Sequence, residues 1–394
     1  MAEAIISPGV FTRENDISFI QPAPVEAGAA IIGPAVKGPV EKPTLVTSYN
    51  DYVRRFGATF ESASTSYEFM TSIAVKNYFS QGGNSVLITR VASGSFDPAA
   101  NTHVSASDNA SIQPFTLETL GEGTIFNNST AVTDSGAQNS DGSLVSGSAD
   151  NLRWEVSNIS NSQGTFSLSI RQGDDNTKSK TILETFNNLS LDPNSSNYIE
   201  SVVGNQTSTV VTGVDGTYIR TSGEYINRSN YARISAVNLK TLDYLANDGT
   251  SVNTDASGNS YSASLPIVES GSFHGATGGI KAGANFFDNI NNTNTQGLEA
   301  GNYTDAINLL TNTEEYIFNI ISAPGLAYNF ATHITPIDSI ISLAESRGDC
   351  IAVLDVQEYG ATVSNVVAKA TTINSSYAAT YWPWLQVLSA TGRN

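Results

Sequence analysis

The sequence is short of cysteine, histidine and positive charge, and each shortage excludes something. One cysteine, Cys350, in 394 residues leaves no internal disulfide framework. Its place in the apolar run Cys350-Ile351-Ala352-Val353-Leu354 makes it a buried small hydrophobe rather than a thiol nucleophile. The three histidines, His103, His274 and His333, have no carboxylate or second histidine at ligand spacing, so no metal site is expected and they read as surface or locally bonded side chains. Lys and Arg number 19 against 37 Asp and Glu, a net charge of −18. Such a field repels phosphate backbones and anionic lipid, so neither nucleic acid nor direct membrane insertion is expected. No apolar run approaches the length of a membrane span, and Met1 to Pro8 lacks the basic start and apolar core of a secretory signal. The chain is expected to be made and kept in a cytoplasm.

What is present is an α/β (mixed α+β) pattern centred on residues 316–356. Tyr316-Ile317-Phe318-Asn319-Ile320-Ile321 reads as a strand buried on both faces and closed by Ala323-Pro324-Gly325. Ile337, Ile340, Ile341 and Ala344 then fall at i, i+3, i+4 and i+7, with Pro336 suited to the first helical turn and Gly348 to the end. Cys350 to Val356 is a second strand, which a right-handed crossover lays parallel to the first.

Earlier in the chain the same alternation appears. Ala27–Ile32, Thr44–Thr47 and Val86–Val91 predict strands. Ser48 caps a helix with Tyr49, Tyr52, Val53 and Phe56 on one face and Gly57 at its end. Thr65-Ser66-Tyr67-Glu68 has capping-box spacing and announces a second helix along Tyr67, Met70, Ala74 and Tyr78. From Ser93 the composition turns to Gly, Ser, Asn, Asp and Thr, and residues 97–150 give few periodic signals. Leu152, Trp154 and Val156 against Phe166, Leu168 and Ile170 predict a β-hairpin, with a further strand from Thr181 to Phe186 and a short helix from Asn197 to Val203. Residues 213–300 are rich in turn formers. Helical spacing returns at Tyr303, Ala306, Ile307 and Leu310, and again at Val363, Val366, Val367 and Ala370, before an aromatic run in which Pro383 favours an edge strand or a bend.

The expected organisation is a discontinuous α/β core with β-rich insertions: an extended N-terminal arm over 1–24, core over 25–95, a β-rich inserted domain over 96–215, a second inserted or protruding region over 216–300, and core again over 301–394. The arm, Ser7-Pro8-Gly9-Val10-Phe11-Thr12-Arg13-Glu14 at its centre, cannot bury its own apolar residues. It should lie on its own domain or add a strand to a neighbour's sheet edge, the alternative being a disordered terminus.

No catalytic constellation is visible. Gly275 to Gly283 lacks the Gly-Lys-Ser/Thr ending of a phosphate loop, and Asp174-Asp175-Asn176 lacks the spacing of a calcium loop and reads as a solvated hairpin tip. No Gly-x-Ser-x-Gly elbow occurs. No catalytic residue, cofactor or metal is expected.

The segment Ser7 to Glu14, followed by Gly33-Pro34-Ala35-Val36-Lys37-Gly38-Pro39 and Tyr52-Val53-Arg54-Arg55-Phe56-Gly57, resembles the opening of phage contractile tail sheath proteins. Leu183 to Pro193 with Asn197-Tyr198-Ile199 resembles a central segment of that family. Ala323-Pro324-Gly325, Arg347-Gly348-Asp349-Cys350 and Ser375-Ser376-Tyr377-Ala378-Ala379 resemble its later core, all in the family's order. The resemblance implies a structural subunit and no enzyme. Its copies would stack as hexameric rings around a tail tube and contract to drive the tube through a bacterial envelope. The implied partners are further copies of itself, the tail tube protein, and baseplate and tail terminator proteins; the implied place is the virion tail, after assembly in the host cytoplasm. Inter-subunit linkage through Ser7, Pro8, Gly9, Val10, Phe11, Thr12, Arg13 and Glu14 agrees with the strand-donating arm read from the residues. The family's Gly-Gly-x-Asp-Gly turn is represented only by Gly278-Gly279-Ile280-Lys281, without the Asp. The sequence stops at Asn394, short of the family's C-terminal part, which predicts a monomeric or weakly associated chain. A related injection device or bacteriocin is the alternative, with an α/β enzyme or a surface adhesin behind it. An enzyme would show a pocket with perturbed carboxylates near 323–326 or 355–358.

Overall fold

The structure, a computed structural model, describes residues 25–62, 65–101, 105–107, 112–128, 138–214, 216–280 and 290–388. It is a mixed α/β fold. In chain order, β1 (Val25–Gly33), β2 (Thr44–Val46), α1 (Tyr49–Phe56), β3 (Thr59–Ser62), β4 (Thr65–Glu68), α2 (Met70–Ser80) and β5 (Val86–Arg90) come first. A β-rich middle follows, with β6 (Pro98–Asn101), β7 (Phe115–Glu122), β8 (Leu152–Ser160), β9 (Thr165–Gln172), β10 (Ile182–Ser190), α3 (Ile199–Val203), β11 (Thr207–Gly213), β12 (Gly216–Ser222), β13 (Ala232–Val237) and β14 (Glu269–Ser272). The last third holds α4 (Thr304–Leu309), β15 (Tyr316–Ala327), α5 (Ala331–Arg347), β16 (Ile351–Asp355), α6 (Val363–Ala370) and β17 (Ala378–Thr380).

Strands from both ends of the sequence build one six-stranded sheet, ordered β17-β16-β15-β1-β5-β2. All neighbours are parallel except β2, which runs antiparallel to β5 at one edge. The predicted β-α-β unit is present, with Ile320 paired to Ile351 and Ile321 to Ala352. It lies in the interior of the sheet, because β1 flanks one side and β17 the other, so neither of its strands offers an edge.

Helices cover the two faces unequally. On one, Tyr52, Phe56 and Val75 of α1 and α2 pack over Ala29, Ile31, Val86 and Ile88. On the other, Ala306 and Ile307 of α4 and Ile337, Ile340, Ile341 and Ala344 of α5 pack over Ala30, Ile32, Ile321, Ala352 and Leu354. The apolar cluster under α1 and α2 is built on β1, β2 and β5 and takes in no residue of β15 or β16. Ile320 and its neighbour Ile351 are therefore 39% and 48% exposed, whereas the next residues, Ile321 and Ala352, are fully buried. The expectation of burial on both faces fails for β15, because no described element lies over Ile320, and β16 is open in the same way at Ile351, whereas β5 is buried throughout.

Two helix starts differ from expectation. Thr65–Glu68 is strand β4, paired to β3, and α2 begins only at Met70. Tyr67 and Phe69 stack on Phe60, and Glu68 accepts a hydrogen bond from Ser72, so the aromatic side chains win over the capping-box spacing. Helix α5 starts at Ala331, placing Pro336 inside it; the missing N–H forfeits one bond near the start of the helix. Gly348 ends it as expected, in the left-handed conformation at φ 70°. α1 matches its prediction: the Ser48 side chain accepts from Asp51 N at 3.1 Å, and Gly57 N–H closes on Val53 O.

The middle of the chain shares one core. A four-stranded antiparallel sheet, β10-β9-β8-β14, and a three-stranded one, β13-β7-β6, contribute Trp154, Val156, Leu168, Ile170, Phe115, Leu117 and Ile234 to it. The predicted hairpin is β8–β9, with Trp154 opposite Ile170 and Val156 opposite Leu168. Gly271 on β14 permits this packing, since a Cβ there would lie 2.4 Å from the Trp154 ring. β11 and β12 form a separate two-stranded hairpin that the turn-rich composition concealed.

Candidate functional site

In a parallel sheet wound on both faces, ligands bind beyond the carboxyl ends of the strands, where the chain leaves neighbouring strands toward opposite faces. Here that point lies between β1, which leads to α1 and α2, and β15, which leads to α5. It is occupied by the protein itself. Thr295 Oγ1 donates to Gly325 O at 2.6 Å, and Gln296 Nε2 donates to Pro324 O at 2.9 Å. Gln296 Oε1 accepts from Met70 N at 2.7 Å, supplying the cap that α2 lacks locally. Gly325, at φ 101°, is required by this fit, because a Cβ would stand 2.2 Å from Gln296 Nε2. The space left beside Gln296, Pro34 and Phe96 is about 20 Å³, room for about one water.

The end of β16 offers one perturbed carboxylate. Burial pushes Asp355 up to about 6, and among the described residues its side chain has no hydrogen bond or ion pair. A proton acceptor without an orienting partner or a pocket does not make a catalytic pair. His333, expected at the surface or locally bonded, is the latter: it is fully buried at the start of α5, and its Nδ1 accepts from Ala327 N at 3.2 Å. Burial lowers its pKa, so it serves as a neutral local acceptor. Asp175, expected at a solvated tip, is buried between Arg153 and Arg171, with contacts of 3.2 and 2.7 Å. The paired guanidinium groups compensate a charge that could not otherwise leave water.

The motif residues of the last third hold the fold. Arg347 donates to Leu310 O and Tyr316 O, pairs with Asp349 at 2.9 Å, and lies 4.2 Å from the Phe318 ring centroid. Arg90, also fully buried, has no carboxylate partner among the described residues. It donates instead to Ala35 O, Gly38 O and Glu122 O, tying the end of β5 to the loop after β1 and to β7, and desolvation lowers its pKa to about 10.

The large concavity lies elsewhere, in a cleft of about 810 Å³ between the loop 37–44, α1, β7 and the β11–β12 hairpin. Its charges are mostly paired: Lys42 with Glu122 at 2.6 Å, Arg233 with Glu118 at 2.6 Å, Arg55 with Asp51 at 2.8 Å. Arg54 and Glu41 have no ion pair among the described residues. Glu41 sits at φ 57°, and burial, together with Asp305 and Glu122, raises its pKa. The loop sequence Gly38-Pro39-Val40-Glu41 signalled a turn, but nothing in it signalled a cleft, since the opposite wall comes from residues more than a hundred positions away.

Of the residues named from sequence, the inter-subunit arm Ser7 to Glu14 lies outside the described residues, as does His103. No described helix is long and apolar enough to cross a membrane, and no group of three or more His, Cys, Asp or Glu among the described residues could hold a metal ion.

No family model and no curated protein matches the chain. Among solved structures it is similar to a sheath tail protein from Listeria innocua, at 12% identity and a TM-score of 0.37, over 84% of this chain and 48% of that one. It is also similar to a sheath tail protein from Desulfitobacterium hafniense, at 12% identity and a TM-score of 0.33, over 88% of this chain and 52% of that one. The chain thus spans about half the length of each. At these TM-scores the likeness carries no argument about function.

Proposed function

We propose that this chain is a structural subunit of a contractile tail sheath, which polymerises as stacked hexameric rings around a tail tube and contracts to drive the tube through a host envelope. The observation that carries this reading is the succession of sheath-like segments in the sequence, 7–14, 33–39, 52–57, 183–199, 323–325, 347–350 and 375–379, in the family's order. The roles of the described segments support it. Gly325 is clamped by Thr295 and Gln296, Arg347 ties α5 to the start of β15, and Ala378–Ala379 form the edge strand β17. These are scaffold roles.

In this reading residues 25–95 and 301–394 form the lattice core, 96–215 a β-rich inserted domain and 216–300 a second inserted or protruding region. The arm Ser7 to Glu14 links copies by adding a strand to a neighbour. Contraction draws its work from contacts that differ between two lattice arrangements. The partners are further copies, the tube protein and the baseplate and terminator proteins, and the place is the virion tail. Gold-labelled antibody against this chain, applied to a lysate of producing cells, should decorate striated hollow cylinders along their length. Labelling confined to dispersed particles would overturn the reading.

A further inference from the structure

Two apolar features of the last third of the chain lack a cover, and they are complementary in kind: a stretch of sheet without a helix and a helix stripe without a sheet. Parallel strands in the interior of a sheet ordinarily have helices on both faces. At Ile320 and Ile351 such cover is present on one face only. Ala29, which pairs with Ile320, belongs to the core under α1 and α2, so Ile320 and its own partner Ile351 point to that same face. No described element lies over them there.

The second feature is α6. Val363, Val366, Val367 and Ala370 recur at the spacing of a core-facing stripe, yet of the valines only Val366 is buried, while Val363 and Val367 are 65% and 55% exposed. Val363 and Val367, at i and i+4, thus form a neighbouring apolar row that faces outward. Between Val363 and Ala370 the one charge is Lys369, and Tyr316–Ala327 and Ile351–Leu354 carry none. In a chain of net charge −18 these are surfaces on which two copies can meet without like-charge repulsion.

The two features lie on opposite faces of the sheet. α5 and α6 connect β15 to β16 and β16 to β17 in one direction across it, and right-handed crossovers place both helices on the same face. Lys369 Nζ accordingly stands 4.8 Å from the ring centroid of Tyr328, which packs against the core under α5. One chain therefore cannot lay its own α6 on its own open half-face.

We propose that the outward row of α6, Val363 and Val367, docks on the open half-face at Ile320 and Ile351 of a second copy and completes the helix cover there. The contact is head-to-tail: it joins two different surfaces and leaves one of each free, so it propagates from copy to copy. This rests on the reading of the chain as a subunit that assembles with itself, and it names a surface through which it does so. A contact built on so few side chains is small, so in solution the association is weak and rises with concentration.

The test is sedimentation velocity of the full-length chain over a range of concentrations, beside Val367→Asp and Ile320→Asp. Both positions are exposed, and circular dichroism checks that each variant keeps its fold. The parent should form species larger than a dimer as concentration rises. Each variant alone should associate about ten-fold more weakly or worse, because an unpaired carboxylate enters an apolar contact. Mixed, the two variants should form heterodimers and nothing longer, since the Ile320→Asp chain brings an intact α6 and the Val367→Asp chain an intact half-face. Association of the parent that neither substitution weakens would overturn this contact and leave the subunit reading standing. A parent that stays monomeric at every concentration would sink both. Loss of association in each variant without rescue on mixing would refute the head-to-tail pairing. So would an Ile320→Cys thiol that resists maleimide in the monomer, because the chain's own segments would then cover the half-face.

Discussion

Gln296 and Met70 are 226 residues apart in the chain, yet the Gln296 Oε1 accepts the Met70 N–H at 2.7 Å and so caps a helix that has no cap of its own. The same amide donates to Pro324 O, so one side chain fastens α2 to the end of β15. Replacing it breaks both bonds. Gln296→Ala is expected to cost about 2 kcal/mol, the sum of a lost helix cap and an unpaired buried carbonyl. Urea unfolding of the variant beside the parent checks this; a midpoint shift worth under about 0.5 kcal/mol would show that the amide is not a fastener.

Asp355 makes stability depend on pH in a direction opposite to that of most carboxylates. Its pKa is about 6 in the folded chain, against about 4 in an unfolded one. Between those values the folded state keeps a proton that the unfolded state has released, so this group's contribution falls as pH rises through the window. Above it the buried charge costs on the order of 2–3 kcal/mol. Asp355→Asn should therefore stabilise the protein near pH 8 and leave it unchanged near pH 4. Equal effects at both pH values would contradict the assignment.

Arg90 is satisfied by three main-chain carbonyls, from Ala35, Gly38 and Glu122. Arg90→Ala removes the side-chain donor from all three, leaves Gly38 O only its bond from Glu122 N, and opens a cavity between the loop after β1 and β7, for an expected loss of about 3–5 kcal/mol. Because Glu122 belongs to β7, the loss should appear as altered proteolysis between the sheet and the β-rich middle as well as a lower thermal midpoint. Parent-like values of both would exclude the tie.

Ile320 and Ile321 are adjacent and chemically identical but sit on opposite faces of β15. Ile321→Ala should cost about 2–5 kcal/mol, as for a packed core position, and Ile320→Ala less than about 1 kcal/mol in the isolated chain. Calorimetry of the two variants tests the uncovered half-face directly; equal losses would mean that Ile320 is covered.

Elements with strong local periodicity were legible in advance. The stripe of α5, the Ser48 and Gly57 boundaries of α1, the alternation of Trp154 and Val156 against Leu168 and Ile170, and the buried Cys350 all follow from side chains that repeat at the spacing of the element they build. Signals that depended on one short motif failed more often. The capping-box spacing at Thr65 lost to aromatic stacking on Phe60, and the acidic tip at Asp175 proved to be a buried ion-pair centre, because its two arginines come from strands and not from the tip.

By itself, the sequence determined the α/β class, the parallel β15-α5-β16 unit, the hairpin of the middle region and the absence of a disulfide framework. Those depend on periodicity and composition, which are local. Only the tertiary structure decided that Gln296 fills the crevice at the strand ends, that Ile320 lies open while Ile321 is buried, and that the β11–β12 hairpin lines one cleft with Glu41 and Arg54. Each of these depends on which distant segments come to lie side by side, and hydrogen bonds and burial act on distance in space, with no regard for distance along the chain.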